Sequence, residues 1–352
     1  MFSSRIAQFL SLLWYRQHLS RRLWPLLPLS WFFSLIVVLR RVLYRTGFIT
    51  SYRLPVPVII VGNLTVGGNG KTPLVLWLVE RLRDEGWEPG IISRGYGGTA
   101  GGTAKGVRSV GPTSPSAEVG DEPLLLARRS GVPVFVGRDR VAAGRALLTA
   151  HPACNVIVSD DGLQHYRLQR SVEVVVFDGR GAGNGHLLPV GPLREPLHRL
   201  SSAAALVWNG LPELSVARAA CGVLQFSMSL GGERFLALTD QSQCCVADSL
   251  RGKRLYAMAG IGHPARFFSQ LKKLGLEFEE HPFPDHHVYS MNDLAFAHDG
   301  VLLMTEKDAV KCAALALGEA WVLPVKASIE NLPDGTGLLE TILEKLNGRA
   351  LA

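Results

Sequence analysis

Residues 56–80 read VPVIIVGNLTVGGNGKTPLVLWLVE, and this stretch decides the fold. The apolar, β-branched run Val58–Val61 predicts a buried strand, and the turn Gly67-Gly68-Asn69-Gly70 predicts a tight, amide-rich loop. Lys71 and Thr72 then open an apolar-faced helix expected over 73–82. Strand, glycine-rich loop and helix in this order form a phosphate cradle. Glycines let successive N–H groups and the positive helix end face one anion, the lysine reaches the β- and γ-phosphates, and the threonine hydroxyl can ligate Mg²⁺. The expected nucleotide-binding residues are Thr65, Val66, Gly67, Gly68, Asn69, Gly70, Lys71 and Thr72. Thr65 stands where the general pattern has its first glycine.

Outward from this stretch, βα alternation predicts an α/β fold: a P-loop NTPase-like, mostly parallel sheet flanked by helices over residues 54–240, and a second, smaller α/β domain over 250–347. Within the second unit, helices are expected over 264–274, 293–297, 309–317 and 338–346. At 352 residues the chain is long enough for two such cores. The five cysteines, Cys154, Cys221, Cys244, Cys245 and Cys312, have no C-x-x-C spacing and read as reduced cytosolic thiols.

The net charge of +7 points to anionic partners, and its placement narrows them. Residues 1–53 carry Arg5, Arg16, Arg21, Arg22, Arg40, Arg41, Arg45 and Arg53 but no lysine, aspartate or glutamate. The basic excess sits at the N-terminus among Trp, Phe and Leu, so an anionic membrane surface explains the charge and nucleic acid is not needed. The apolar stretch Leu23–Leu39 is about 17 residues, short of the roughly 20 that a span needs, and contains Pro25 and Pro28. Arginine pairs on both sides oppose a simple crossing. The expectation is a monotopic helix or hairpin in the interface, with Trp14, Trp24 and Trp31 as anchors; a helix buried on the domain is the plain alternative.

A second apolar strand ends in Asp160-Asp161, where a carboxylate can reach Mg²⁺ held by Thr72. Asp121-Glu122 opens a helix expected over 123–129; the pair either caps that helix or supplies an acceptor for the proton of an attacking hydroxyl. Asp285-His286-His287 is the other candidate for acid–base work. Arg194, in a Pro/Gly-rich loop, can clamp transferred phosphate, with Arg94 and Arg138 as weaker cases. Thr305-Glu306-Lys307-Asp308 follows a strand and either simply starts the next helix or leaves Glu306 and Lys307 available for anions or ion pairs.

Together these motifs resemble the tetraacyldisaccharide 4′-kinase family. The matching segments are TVGGNGKTP (65–73), SRGYGG (93–98), GDEP (120–123), DDGLQH (160–165), LLPVGPLREP (187–196), AGIGHPARFF (259–268), FPDHH (283–287) and LMTEKDAVK (303–311), spread over nearly the whole chain. The resemblance implies ATP- and Mg²⁺-dependent phosphorylation of the 4′-hydroxyl of a tetraacylated glucosamine disaccharide 1-phosphate, a lipid A precursor. The site would lie at the cytosolic face of the inner membrane, with no obligate protein partner. It implies Lys71 and Thr72 on phosphates and metal, Asp160 and Asp161 on the metal, and Asp121 as base tuned by His286. Glu122 would assist at the metal or nucleotide, and Arg194 would contact phosphate. A membrane-associated P-loop ATPase switch without a lipid acceptor, and a non-enzymatic adaptor, are the other classes compatible with the motifs.

Overall fold

The computed structural model describes residues 9–348 except 17, 96–105, 241, 286 and 314. Its larger sheet has nine strands in the order β15-β8-β7-β6-β1-β5-β2-β4-β3. The central strands are parallel: β1 (Val58–Gly62), β2 (Pro89–Ser93), β4 (Val134–Val136), β5 (Val156–Asp160), β6 (Val172–Asp178), β7 (Ala205–Asn209) and β8 (Leu224–Gly231). Antiparallel β3 (Arg108–Val110) and β15 (Lys326–Ile329) close the two edges.

Side-chain alternation explains why β1 is apolar throughout. Ile59 and Val61 face a layer with Leu74, Leu78 and Leu82 of α3 (Lys71–Asp84), Leu124 of α5 (Asp121–Ser130), which follows the single-turn α4 (Ser116–Val119), and Ile342 of α10 (Leu338–Leu346). Val58 and Ile60 face the opposite layer, with Val141 and Leu147 of α6 (Arg140–Ala150) and Val216 of α7 (Leu214–Ala219). A parallel sheet covered on both faces must read as a continuous hydrophobic run.

The second sheet has six strands in the order β10-β9-β14-β13-β11-β12. Its parallel part is β11 (Leu255–Ala259), β12 (Glu279–Pro282), β13 (Val301–Thr305) and β14 (Ala320–Leu323), with β9 (Arg234–Ala237) and β10 (Cys244–Val246) antiparallel at one edge. Helix α8 (Pro264–Lys273) packs Phe267, Phe268 and Leu271 on one face. Strand pairing runs across the boundaries expected from sequence. β9 lies before residue 240 yet joins the second sheet, whereas β15 and α10 return from the second unit to the first. The chain therefore crosses between sheets twice, and the crossings touch: a Cβ built on Gly232 would lie 2.1 Å from the Pro324 carbonyl oxygen.

Several helix limits differ from expectation. The helix expected over 293–297 is only a 3-10 turn, Ala295–Ala297, and the one expected over 309–317 is α9, Glu306–Cys312. Its early start follows from Thr305, whose hydroxyl accepts the Asp308 N–H as an N-cap.

At the N-terminus a short helix α1 (residues 9–14) precedes the 3-10 turn Arg21–Leu26 and α2 (Leu27–Arg45). The residues Arg21–Arg45 are long and apolar enough to cross a membrane, with mean hydropathy 1.8, yet only 6% of the window is buried. The buried-helix alternative therefore does not describe it. The segment is tied to the core by polar bonds: Trp14 Nε1 donates to Pro189 O at 2.9 Å, Asn184 N to Trp14 O at 2.7 Å and Ser30 Oγ to Leu187 O at 2.8 Å. Trp31, Phe32, Leu35 and Leu39 point away into the open.

Candidate active site

The site forms at the carboxyl ends of β1, β5 and β2. Register brings this about, since Val61 of β1 pairs with Asp160 of β5, and Ser159 with Ile92 of β2. Asp160 is thus level with the start of the loop that follows β1, and Ser93 stands beside it.

In that loop, Gly67 and Gly70 take φ of 106° and 92°, backbone that a side chain would strain. Thr65 needs no such freedom. It lies in an extended bridge to Leu193, and its buried hydroxyl accepts from Asn69 Nδ2 at 2.8 Å. The neighbouring bonds Val66 N to Pro192 O (2.9 Å) and Arg194 N to Leu64 O (2.6 Å) lay the 187–194 loop along the first half of the glycine loop. That pairing delivers Arg194.

Arg194 forks onto Asp161, with Nη1 to Oδ2 at 3.1 Å and Nη2 to Oδ1 at 2.9 Å, and also donates to the carbonyl of Asn63 at 2.8 Å and to its side-chain oxygen. Lys71 Nζ donates to Asn63 Oδ1 at 3.1 Å and lies 3.6 Å from Asp161 Oδ1. Burial alone would raise the Asp161 carboxyl, but Lys71 and Arg194 outweigh it and hold the group well below the usual carboxylate range. Asp160 is the opposite case. It is 1% exposed, and burial together with Glu122 pushes its carboxyl up to about 7. Its Oδ2 accepts from Ser93 Oγ at 3.2 Å, while Oδ1 is buried with no hydrogen-bond partner.

Helix α5 begins at Asp121, earlier than expected, so Asp121 and Glu122 are its first two residues. The cap position is Gly120, so Asp121 and Glu122 lie in the first turn of the helix and not at its cap. Glu122 Oε1 accepts from Lys307 Nζ at 3.3 Å, and the same ammonium reaches Asp285 Oδ1 at 3.0 Å. Residues of the second unit thus face the glycine loop across a cleft. A Cβ on Gly262 would lie 3.5 Å from the Gly68 amide and 3.6 Å from Asp285 Oδ2. His286 lies outside the described residues. His287 turns to Asp293, with Nε2 3.5 Å from its Oδ2, and packs against Phe283 and Tyr289.

The structure therefore gathers Lys71, Arg194, Asp160 and Asp161 around the end of β1, with Asp121 and Glu122 at the adjoining helix start. Arg94 and Arg138 are absent from these contacts. Sequence reasoning passed over Asn63 and Arg180, whereas Lys307, expected to be available for anions or ion pairs, makes two. Arg180 is fixed by a bidentate pair with Asp178, stacks over Tyr15 and donates to Gly68 O at 3.3 Å, bracing the glycine loop. Its position two residues after a strand-ending aspartate was the available signal.

Mg²⁺ suits this donor set. Among the described residues no three His, Cys, Asp or Glu side chains form a metal cage. Mg²⁺ does not require one, because it is usually held by one or two carboxylates plus substrate phosphates and water. The buried, unpartnered Oδ1 of Asp160 is the kind of atom such an ion satisfies.

A family model described as tetraacyldisaccharide-1-P 4′-kinase matches residues 22–347. The chain is 55% identical over 349 residues to the tetraacyldisaccharide 4′-kinase of Dechloromonas aromatica, covering 99% of this chain and 100% of that one. It is 53% identical to the protein of that name from Azoarcus sp., covering 91% of each. Among solved structures, LpxK from Aquifex aeolicus in complex with ATP superimposes with a TM-score of 0.75 at 30% identity, covering 92% of this chain and 99% of that one.

Proposed function

The chain belongs to the tetraacyldisaccharide-1-P 4′-kinase family, and from that premise we propose how its residues divide the work of the reaction. The enzyme transfers the γ-phosphate of ATP to the 4′-hydroxyl of a tetraacylated glucosamine disaccharide 1-phosphate, a step of lipid A biosynthesis.

Residues 65–72 hold the nucleotide: backbone amides and the α3 N-terminus face the phosphates, and Lys71 neutralises the transferred group. Thr72, Asp160 and Asp161 would hold Mg²⁺, with Glu122 in support, and the bound ion would supply charge neutralisation on the phosphate oxygens. Asp121 accepts the proton of the 4′-hydroxyl, and His286 tunes it. Arg194 is oriented by Asp161 and Asn63 so that its fork is in place before substrate arrives, which favours stabilisation of charge that develops during transfer. Most of the acceleration comes from positioning and electrostatics, since little covalent work falls to the protein in phosphoryl transfer.

The N-terminal segment brings the enzyme to its acceptor. Acyl chains resist leaving the bilayer at about 0.8 kcal/mol per CH₂, so the cleft must come to the interface. We place α2 in the cytosolic leaflet of the inner membrane as a monotopic element, with its arginines on anionic headgroups.

The observation that carries this reading is Asp160 level with the end of β1, its second oxygen buried and unpartnered beside the Lys71 helix. The test is transfer of label from γ-labelled ATP to detergent-dispersed tetraacyl disaccharide 1-phosphate, comparing wild type with Asp121→Ala. Labelled lipid is expected from the wild type, with most of kcat lost in the variant and ATP affinity little changed. Wild-type turnover by Asp121→Ala would remove that residue from the mechanism. Free phosphate with unlabelled lipid would favour an ATPase switch instead.

A further inference from the structure

Three consecutive residues of the second unit, Glu306, Lys307 and Asp308, hold the pieces of the cleft together. The Lys307 side chain is 14% exposed, and its ammonium bridges two carboxylates that belong to different sheets' units, Glu122 at 3.3 Å and Asp285 at 3.0 Å. Glu122 adjoins Asp121 at the start of α5, and Asp285 adjoins His286. One residue earlier, Glu306 pairs with Arg129 near the far end of α5 and accepts from Val325 N at 3.1 Å. The charges are reciprocal: α5 presents an acid and then a base, and α9 meets them with a base and an acid.

One residue later, Asp308 is fully buried and accepts from Gly260 N at 3.0 Å, Tyr289 Oη at 2.9 Å, Thr305 Oγ1 at 2.6 Å and Lys311 Nζ at 3.0 Å. Gly260 begins the loop that approaches the glycine loop, and Tyr289 ends the stretch that contains Asp285. The backbone around Asp285 is therefore fixed from the same turn that carries Lys307.

We propose that Lys307 is a positioning residue for phosphoryl transfer, its ammonium setting the distance across the cleft between the Asp121–Glu122 helix start and the turn at Asp285. This rests on the reading of Asp121 given above. A cation between two carboxylates on different bodies has a geometric consequence that a neutral side chain lacks: without it, Glu122 and Asp285 face one another as like charges and the turns separate. A displacement of about 1 Å in reacting groups can cost on the order of a hundredfold in rate.

The experiment uses the full-length protein as wild type, Lys307→Met, Lys307→Arg, Asp285→Asn and the Lys307→Met/Asp285→Asn double variant. Three quantities are measured: steady-state kinetics with ATP and the lipid acceptor, equilibrium ATP binding, and backbone hydrogen exchange over 121–127 and 283–289 without substrate. In Lys307→Met, kcat is expected to fall roughly 30- to 100-fold while ATP affinity stays within about twofold, and Lys307→Arg restores most of the rate. Exchange rises in both segments, and the double variant loses little more than the worse single one, as coupled residues do. Three results would overturn the proposal: unchanged kcat, a rate loss matched by lost ATP affinity, or additive losses in the double variant. Should Lys307→Met fail to fold, Lys307→Arg and Asp285→Asn carry the exchange comparison. If the wild type does not label lipid, the kinase reading fails by itself, and exchange still decides whether Lys307 couples the two turns.

Discussion

At the scale of single residues, the glycine loop was legible because its chemistry is local: Gly67, Gly70, Lys71 and Thr72 are neighbours in sequence and in space. Asn63 was not legible. Its side-chain oxygen gathers Lys71 and Arg194, but nothing marks an asparagine after a strand as a hub when one of its partners arrives from a loop 131 positions away. Thr65 reads as a departure only in sequence, since in the fold it is an extended, hydrogen-bonded residue with no need of glycine. His165 supports a prediction on pH. Burial, then Arg140, lowers its imidazole from 6.5 to about 4 despite Asp139, with Arg170 and Arg40 acting in the same direction as Arg140. Below pH 6.5 the unfolded chain takes up a proton that the folded chain refuses until about pH 4. The stability that a neutral His165 supplies is thus complete above 6.5 and lost as pH falls through that window. The unfolding free energy of wild type relative to His165→Gln, from urea titrations, should fall by about 1–2 kcal/mol as pH goes from 7 to 4.5, after discounting the residual exposure of the ring. A gap independent of pH would exclude His165 as the source.

At the scale of elements, the helix starts proved more informative than the helices. α5 and α9 both begin earlier than periodicity suggested, because apolar spacing marks where a helix becomes buried and leaves its polar first turn unmarked. Those first turns carry Asp121, Glu122, Glu306 and Lys307, so the ends that periodicity places least well hold the chemistry. For α2 the same spacing was unhelpful for another reason: a helix apolar on its exposed side gives no inward stripe. Leu35 and Leu39 lie one turn apart, 62% and 53% exposed. Each leucine buried in an apolar medium contributes about 1.5–3 kcal/mol. Leu35→Asp/Leu39→Asp should therefore reduce co-sedimentation with anionic vesicles by at least about tenfold and leave the melting temperature unchanged. Undiminished sedimentation would show that α2 does not insert.

At the scale of the whole molecule, the sequence disclosed two α/β units but not their interleaving. Alternation of strands and helices restarts near residue 254, and a linear reading places a boundary there. Strand pairing is nonlocal, however, and β15 completes the first sheet only after the chain has built the second. Ile342 and Leu338 of α10 lie in the same apolar layer as Ile59 and Val61. The first unit cannot be finished until the chain has passed through the second, and calorimetry should accordingly record one cooperative transition for the full chain. Two well-separated transitions would contradict this. Truncation after residue 325 should strip the first sheet of an edge strand and a covering helix and give insoluble protein.

The paired crossings at Gly232 and Pro324 restrict what the cleft can do. A lobe attached by one strand can swivel and twist freely. Attached by two strands in contact, it behaves like a page bound along a spine, with a single angle left to vary. A change of angle between the two units would then be a motion of one coordinate. Lys307 bridges the units close to that binding, since its neighbour Glu306 accepts from Val325 N one residue past Pro324.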